Sequence, residues 1–394
     1  MTRPGDTLDV GLVHDYLLTL RGAERSFEAI ASYFPSAPIY TLLYDEKGTE
    51  GRFRGRTVHT SGLQRVGATQ TSFRALLPFM PRATERLPTR NHELVISSSS
   101  AFAHGVHVGD DGQHVCYCCT PFRYAWHDYA IALRESWQVR PFIRWMLKRI
   151  RDWDIEASKR VTHYIAISRL SQQRIAEFWG RDAAIIHPPV AVERFSIGKA
   201  EDFFLVVAQL VRHKRIEIAL EAARRARVPI KVVGTGPDRS RLEALYGGSA
   251  EFLGRLRDDE LASLYARARA LVIPNIEEFG IAGVEVQAAG RPVVAANAGG
   301  ARETVVDGET GVLVAPESVS ALAEALRETD FDRFDPAQIR AQAMRFSADR
   351  FRDQFLREVS RLSGLNVGSP SNDAARASER AGVPPRRELP PEPR

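Results

Sequence analysis

The chain is 394 residues long, 44% apolar and 26% charged, with a formal net charge of +5 and an isoelectric point of about 9.2. That length exceeds what one ordinary core organises, so two domains are expected, and the composition excludes disordered and fibrous classes. The mild basicity favours anionic partners without choosing between nucleotide phosphates, acidic lipid and nucleic acid. No apolar run is long enough to span a bilayer. The polar opening, residues 1–9, has no secretory apolar segment, and a cytoplasmic location is expected.

Residues 9–14 read as a buried strand, followed by an amphipathic helix over 22–33. Strand-like runs continue at 94–98, 114–117, 163–167 and 183–186, until Pro188-Pro189 breaks the series. A second series occupies 203–208, 230–233, 270–274, 292–295 and 312–314. Helical stretches separate the strands, so each half predicts a parallel sheet with crossover helices. The fold class is α/β, with two Rossmann-like domains facing a cleft: 1–190, and 191–362 with a closing C-terminal helix. Residues 363–394, rich in Ser, Pro, Arg and Glu, predict a disordered tail.

The most informative stretch runs from Pro274 to Glu285. An apolar strand ends in a loop with Glu277 and Glu278, and a helix then opens near Ile281. Backbone N–H groups at such a helix start suit a phosphate, and Gly280 and Gly283 allow close approach. Glu277 is placed to grip sugar hydroxyls and Glu285 to accept those of a ribose. The plainer reading makes Glu277 and Glu278 acids that favour the helix dipole.

This succession, with Gly290-Arg291-Pro292, Ala298-Gly299-Gly300 and Asp307-Gly308 after it, resembles retaining glycosyltransferase family four, whose fold is called GT-B. The likeness reaches from Val13-His14-Asp15 and Gly22-Ala23-Glu24 to about Leu362. Its finest grain, in Thr120-Pro121-Phe122-Arg123-Tyr124, is to bacterial mannosyltransferases of O-antigen and exopolysaccharide assembly. The resemblance implies transfer of a sugar from GDP-mannose or a similar nucleoside-diphosphate sugar to a glycan or polyprenyl-diphosphate-linked acceptor. It implies catalytic roles for Glu277, Lys214, Cys119 and Arg123. It assigns donor binding to Gly22, Gln209, Arg212, Gly234, Leu253, Gly280, Ile281, Ala282 and Glu285. Lys214 and backbone amides would supply the positive charge, so neither a metal nor a cofactor is expected.

Three positions depart from the family pattern. Gln209 stands for an arginine, Cys119 for a histidine, and Arg21 for the first of two glycines. They keep open a weakly active or non-catalytic sugar-nucleotide-binding homologue, and the fold itself keeps open a nucleotide-sugar epimerase. Cys116, Cys118 and Cys119 lack a fourth ligand at zinc spacing and read as buried thiols. Finally, 134–160 carries Trp137, Phe142, Trp145 and Trp153 among Arg140, Arg144, Lys148 and Arg149, and 65–90 has a similar mixture. Either stretch suits peripheral contact with an anionic membrane, at the inner face of the plasma membrane, or a helix with a solvated basic face. No nucleic-acid recognition motif accompanies them.

Overall fold

A computed structural model describes residues 8–367 other than 68, 70, 71 and 136, and no side chain over 135–137. The expected tail therefore lies outside the described residues from 368 onward, and the Trp137 side chain lies outside them too. Seven strands, β1 (Val10–His14), β2 (Ile39–Thr41), β3 (Val58–Thr60), β4 (Leu94–Ser99), β5 (Gln113–Cys118), β6 (His163–Ala166) and β7 (Ala183–Ile185), form one sheet. Its order is β3-β2-β1-β4-β5-β6-β7. Six more, β8 (Phe204–Val207), β9 (Ile230–Val233), β10 (Glu251–Gly254), β11 (Ala270–Ile273), β12 (Val293–Ala296) and β13 (Gly311–Val314), form the second, in the order β10-β9-β8-β11-β12-β13. All neighbours pair in parallel.

Central strands covered by helices on both faces read as continuous apolar runs, and every residue of β1, β4 and β12 is buried. Each expected strand is present within one residue of its predicted ends. β2, β3 and β10 were not among them, since three or four residues carry little periodic signal. Cys116 and Cys118 sit fully buried beside Tyr164, Ile175 and Trp179, where burial raises the Cys118 thiol well above its ordinary pKa.

The chain crosses between the sheets twice, side by side. The Val190 N–H donates to the Phe346 carbonyl at 2.9 Å, and Val190 bridges Ser347 in parallel. The helix Ala348–Ser363 then returns to the first sheet. There Tyr117 meets Phe351 and Phe355 edge-on, at 5.6 and 5.9 Å between ring centroids. In both sheets the strand order reverses beside the first strand, between β1 and β4 and between β8 and β11. Ligands of such sheets bind beyond the carboxyl ends of the strands at that reversal.

Candidate active site

The loop after β8 carries Gln209 and then a tight turn, Arg212–Lys214. The loop after β11 carries Glu277, and both its carboxylate oxygens accept from Lys214 Nζ at 2.6 Å. Asn275 Nδ2 donates to the same carboxylate at 3.1 Å, and the Gly300 N–H donates to the Glu277 carbonyl at 2.9 Å. Glu277 is thus fixed through both its side chain and its backbone. Gly280 follows with φ at +88°, a left-handed turn that glycine adopts without strain, and the helix Ile281–Ala288 begins. The N–H groups of Ile281 and Ala282 have no acceptor inside that helix.

Glu285, in the second turn, accepts the Tyr265 hydroxyl at 3.0 Å, and burial raises its carboxyl pKa. Gly234 directly follows β9 with φ at +136°, so close to the loop after β8 that a Cβ would lie 1.8 Å from the Ala208 oxygen. The Gly234 N–H donates to the Gly254 carbonyl at 2.7 Å, next to half-buried Leu253 on β10. Arg212 is exposed. The residues expected to bind a donor on this side therefore gather at the carboxyl ends of β8 to β11.

The first domain faces them. Gly22 opens the helix Gly22–Tyr33 against Ile281, whose Cδ1 would stand 3.0 Å from a Cβ at that glycine. Arg21 Nη1 donates to Gln209 Oε1 at 3.1 Å. Cys119 follows β5 and is half-buried, and burial pushes its thiol well up, so it stays protonated and is a poor nucleophile. Arg123 reaches the cleft but pairs with Glu278 at 2.9 Å rather than with Glu277.

Arg174 joins Glu278 at the same distance, with His127 Nε2 at 3.8 Å. Burial opposes ionisation of Glu278, but Arg123, Arg174 and Lys214 outweigh it and hold the carboxyl down at about 2. His127 and His213 are pushed down to about 4, by burial first and then by neighbouring cations, and are neutral at pH 7.

The sequence reading missed three of these residues. Glu278 appeared as at most a helix-start acid, yet it is the carboxylate on which two arginines of the other domain converge. Arg174 lies on a helix of mixed composition and gave no signal. Asp15, directly after β1, is buried and accepts the backbone N–H groups of Ser100, Phe102 and Ala103 at 2.6 to 2.7 Å, so it shapes the loop after β4. Its place in Val13-His14-Asp15 was the available clue.

Two Rossmann-like sheets whose carboxyl ends face one another across such a cleft define the GT-B fold. Among solved structures, Anabaena HepE in complex with UDP superposes with a TM-score of 0.64 at 17% identity, over 90% of this chain and all of that one. Sucrose-phosphate synthase from Thermosynechococcus elongatus gives 0.68 at 17% identity, over 91% of this chain and all of that one. In sequence, residues 191–343 match the family described as glycosyl transferases group 1. Glycogen synthase of Mycobacterium tuberculosis is 36% identical over 169 residues, 40% of this chain and 40% of that protein. A GDP-mannose-dependent alpha-(1-6)-phosphatidylinositol monomannoside mannosyltransferase of Mycolicibacterium smegmatis is 30% identical over 226 residues, 48% of this chain and 57% of that protein. The chain thus spans about half the length of these curated relatives, and the stretch that matches the family carries Lys214, Glu277 and Glu285.

Proposed function

We propose that the protein is a retaining glycosyltransferase that moves a sugar, mannose by its closest look, from a nucleoside-diphosphate sugar to a glycan or lipid-linked acceptor. The observation that carries this reading is the Lys214–Glu277 pair beside an open helix start, aimed at the first domain. In the free protein the two charges satisfy each other. A donor diphosphate competes for Lys214 and the amides of Ile281 and Ala282, and it releases Glu277 to hold sugar hydroxyls. Glu285 takes the ribose.

As the sugar C1–O bond to phosphate breaks, negative charge grows on the leaving diphosphate. Lys214 stabilises that charge more than it stabilises the ground state. The acceptor hydroxyl forms the new C1–O bond on the same face, and its proton passes to the departing phosphate oxygen. Glu277→Ala should lower turnover on the order of a hundredfold or more with the fold intact. The check is acceptor-dependent release of nucleoside diphosphate, measured over a panel of donor sugars. Unchanged turnover in the folded variant refutes the assignment. Sugar inversion with no transfer would favour the epimerase reading, and binding without turnover the non-catalytic one.

The acceptor side also has a character of its own, and we assign it to an anionic membrane surface. Among the described residues nine large apolar side chains are exposed, and five of them, Val66, Phe79, Val139, Phe142 and Trp145, lie in two neighbouring stretches of the first domain. A groove of about 970 Å³ opens there between Leu63, Phe79, Arg82, Trp145 and Trp153. Residues 62–90 and 139–153 together carry ten Lys and Arg against two acids. Both acids are already engaged, Glu85 by Arg160 and Asp152 by Lys148. No helix among the described residues is long and apolar enough to cross a membrane, so the contact is peripheral.

A further inference from the structure

Arg21 and Gln209, both departures from the family pattern, touch. Their side chains meet at 3.1 Å across the cleft although 188 positions separate them in the chain. A glutamine amide is neutral, so the contact leaves the charge of the guanidinium largely uncompensated. Lys214 differs, because Glu277 cancels its charge at 2.6 Å.

The placing of Arg21 is also built. Its backbone N–H donates to the buried Glu24 carboxylate at 3.0 Å, which fixes the start of the helix beneath it. The next residue, Gly22, starts the helix Gly22–Tyr33 and lies against Ile281, the first residue of the helix Ile281–Ala288. Arg21 thus stands beside two helix N-termini, each carrying partial positive charge, with its own full charge directed at the loop after β8.

We propose that Arg21 is a ligand of the donor diphosphate, delivered from the first domain to the place that Gln209 leaves uncharged. This rests on the reading of the cleft as a nucleotide-sugar site, and adds that one phosphate-binding cation belongs to the acceptor-side domain. Gln209 holds the guanidinium in position until a nucleotide arrives. A diphosphate oxygen is a charged acceptor and displaces the neutral amide oxygen from the arginine. The diphosphate then touches both domains, and its affinity depends on their approach.

The test is calorimetric titration of UDP, GDP and ADP, each beside its monophosphate, into the full chain and its Arg21→Ala variant. Arg21 is exposed, and an unchanged unfolding midpoint verifies that its removal spares the fold. For the diphosphate that the wild type binds, Arg21→Ala should lose about tenfold or more in affinity, with little loss for the matching monophosphate. Placing the arginine on the second domain, in the double variant Arg21→Ala with Gln209→Arg, should recover affinity. Unaltered diphosphate binding by Arg21→Ala, or equal losses for monophosphate and diphosphate, overturns the inference and leaves the reading of the cleft standing. A wild type that binds no nucleoside diphosphate overturns both.

Discussion

Glu278 and Glu285 lie seven positions apart on one loop and helix, and their surroundings pull them in opposite directions. Glu278 faces Arg123 and Arg174 and is held down at about 2, whereas burial raises Glu285, which accepts from the neutral Tyr265 hydroxyl. A desolvated carboxyl of this kind gains from hydroxyl donors, which favour its ionised form. If Glu285 receives the two hydroxyls of a ribose, binding lowers its pKa and a proton leaves the protein. Titration of the preferred nucleoside diphosphate between about pH 4.5 and 7, in two buffers of different ionisation heat, should show more proton release in the wild type than in Glu285→Gln, whose release reports the protons lost by the diphosphate itself. Equal release by the wild type and the variant throughout that range would remove Glu285 from the ribose.

The helix Arg140–Ser158 shows how much a single element decides. Its inward face buries Met146, Leu147 and Ile150 and ends on Asp154, a fully buried carboxylate that accepts the indole N–H groups of Trp126 and Trp179 at 2.7 Å. Its outward face leaves Phe142 and Trp145 53% exposed, with Arg149 stacked 5.2 Å over Trp145. Vesicles of phosphatidylglycerol and phosphatidylcholine should float the wild-type chain at low salt, and raising the salt should weaken the association. The exposed pair Arg144→Glu and Arg149→Glu should reduce binding about tenfold or more. Equal flotation with pure phosphatidylcholine, or none with either lipid, would withdraw the membrane assignment.

In sequence this helix read as basic and aromatic, and the period of its side chains left both faces open. Only packing shows that Trp153 turns inward to Glu85 while Trp145 does not. The sheets were legible because buried parallel strands need unbroken apolar runs. β2 and β3 were not, because neighbouring strands rather than their own pattern define them. At the site, residues adjacent in sequence, Gly280, Ile281 and Glu285, could be read from one stretch. Contacts made across the cleft, such as Arg174 with Glu278, have no local pattern to read.

At the scale of the whole molecule, the cleft is spanned by charge. Arg123 and Arg174 hold Glu278, Arg25 and Arg194 share Asp258, Arg255 meets Glu50, and Glu303 accepts from the Arg169 backbone and pairs with His187. The Glu278 cluster is the most sheltered from solvent of those between side chains. Its carboxyl is depressed from an ordinary value near 4.5 to about 2, so its contribution, about 3 kcal/mol, is present above pH 4.5 and is lost as pH falls toward 2. Glu278→Gln should therefore open the two domains at neutral pH, and the wild type should follow only below about pH 4. Small-angle scattering reads both as a rise in radius of gyration, and an unchanged radius in the variant would show that other contacts set the closure. The paired crossings at Val190 and Ser347 carry a different consequence. Because the helix Ala348–Ser363 packs back on the first sheet, the first domain is discontinuous in sequence and the second is an insertion whose two ends are neighbours. The span that matches the family, 191–343, is nearly that insertion. Shortening the chain from its C-terminal end past Ser363 would therefore strip the opposite domain of its own cover and leave the inserted one whole.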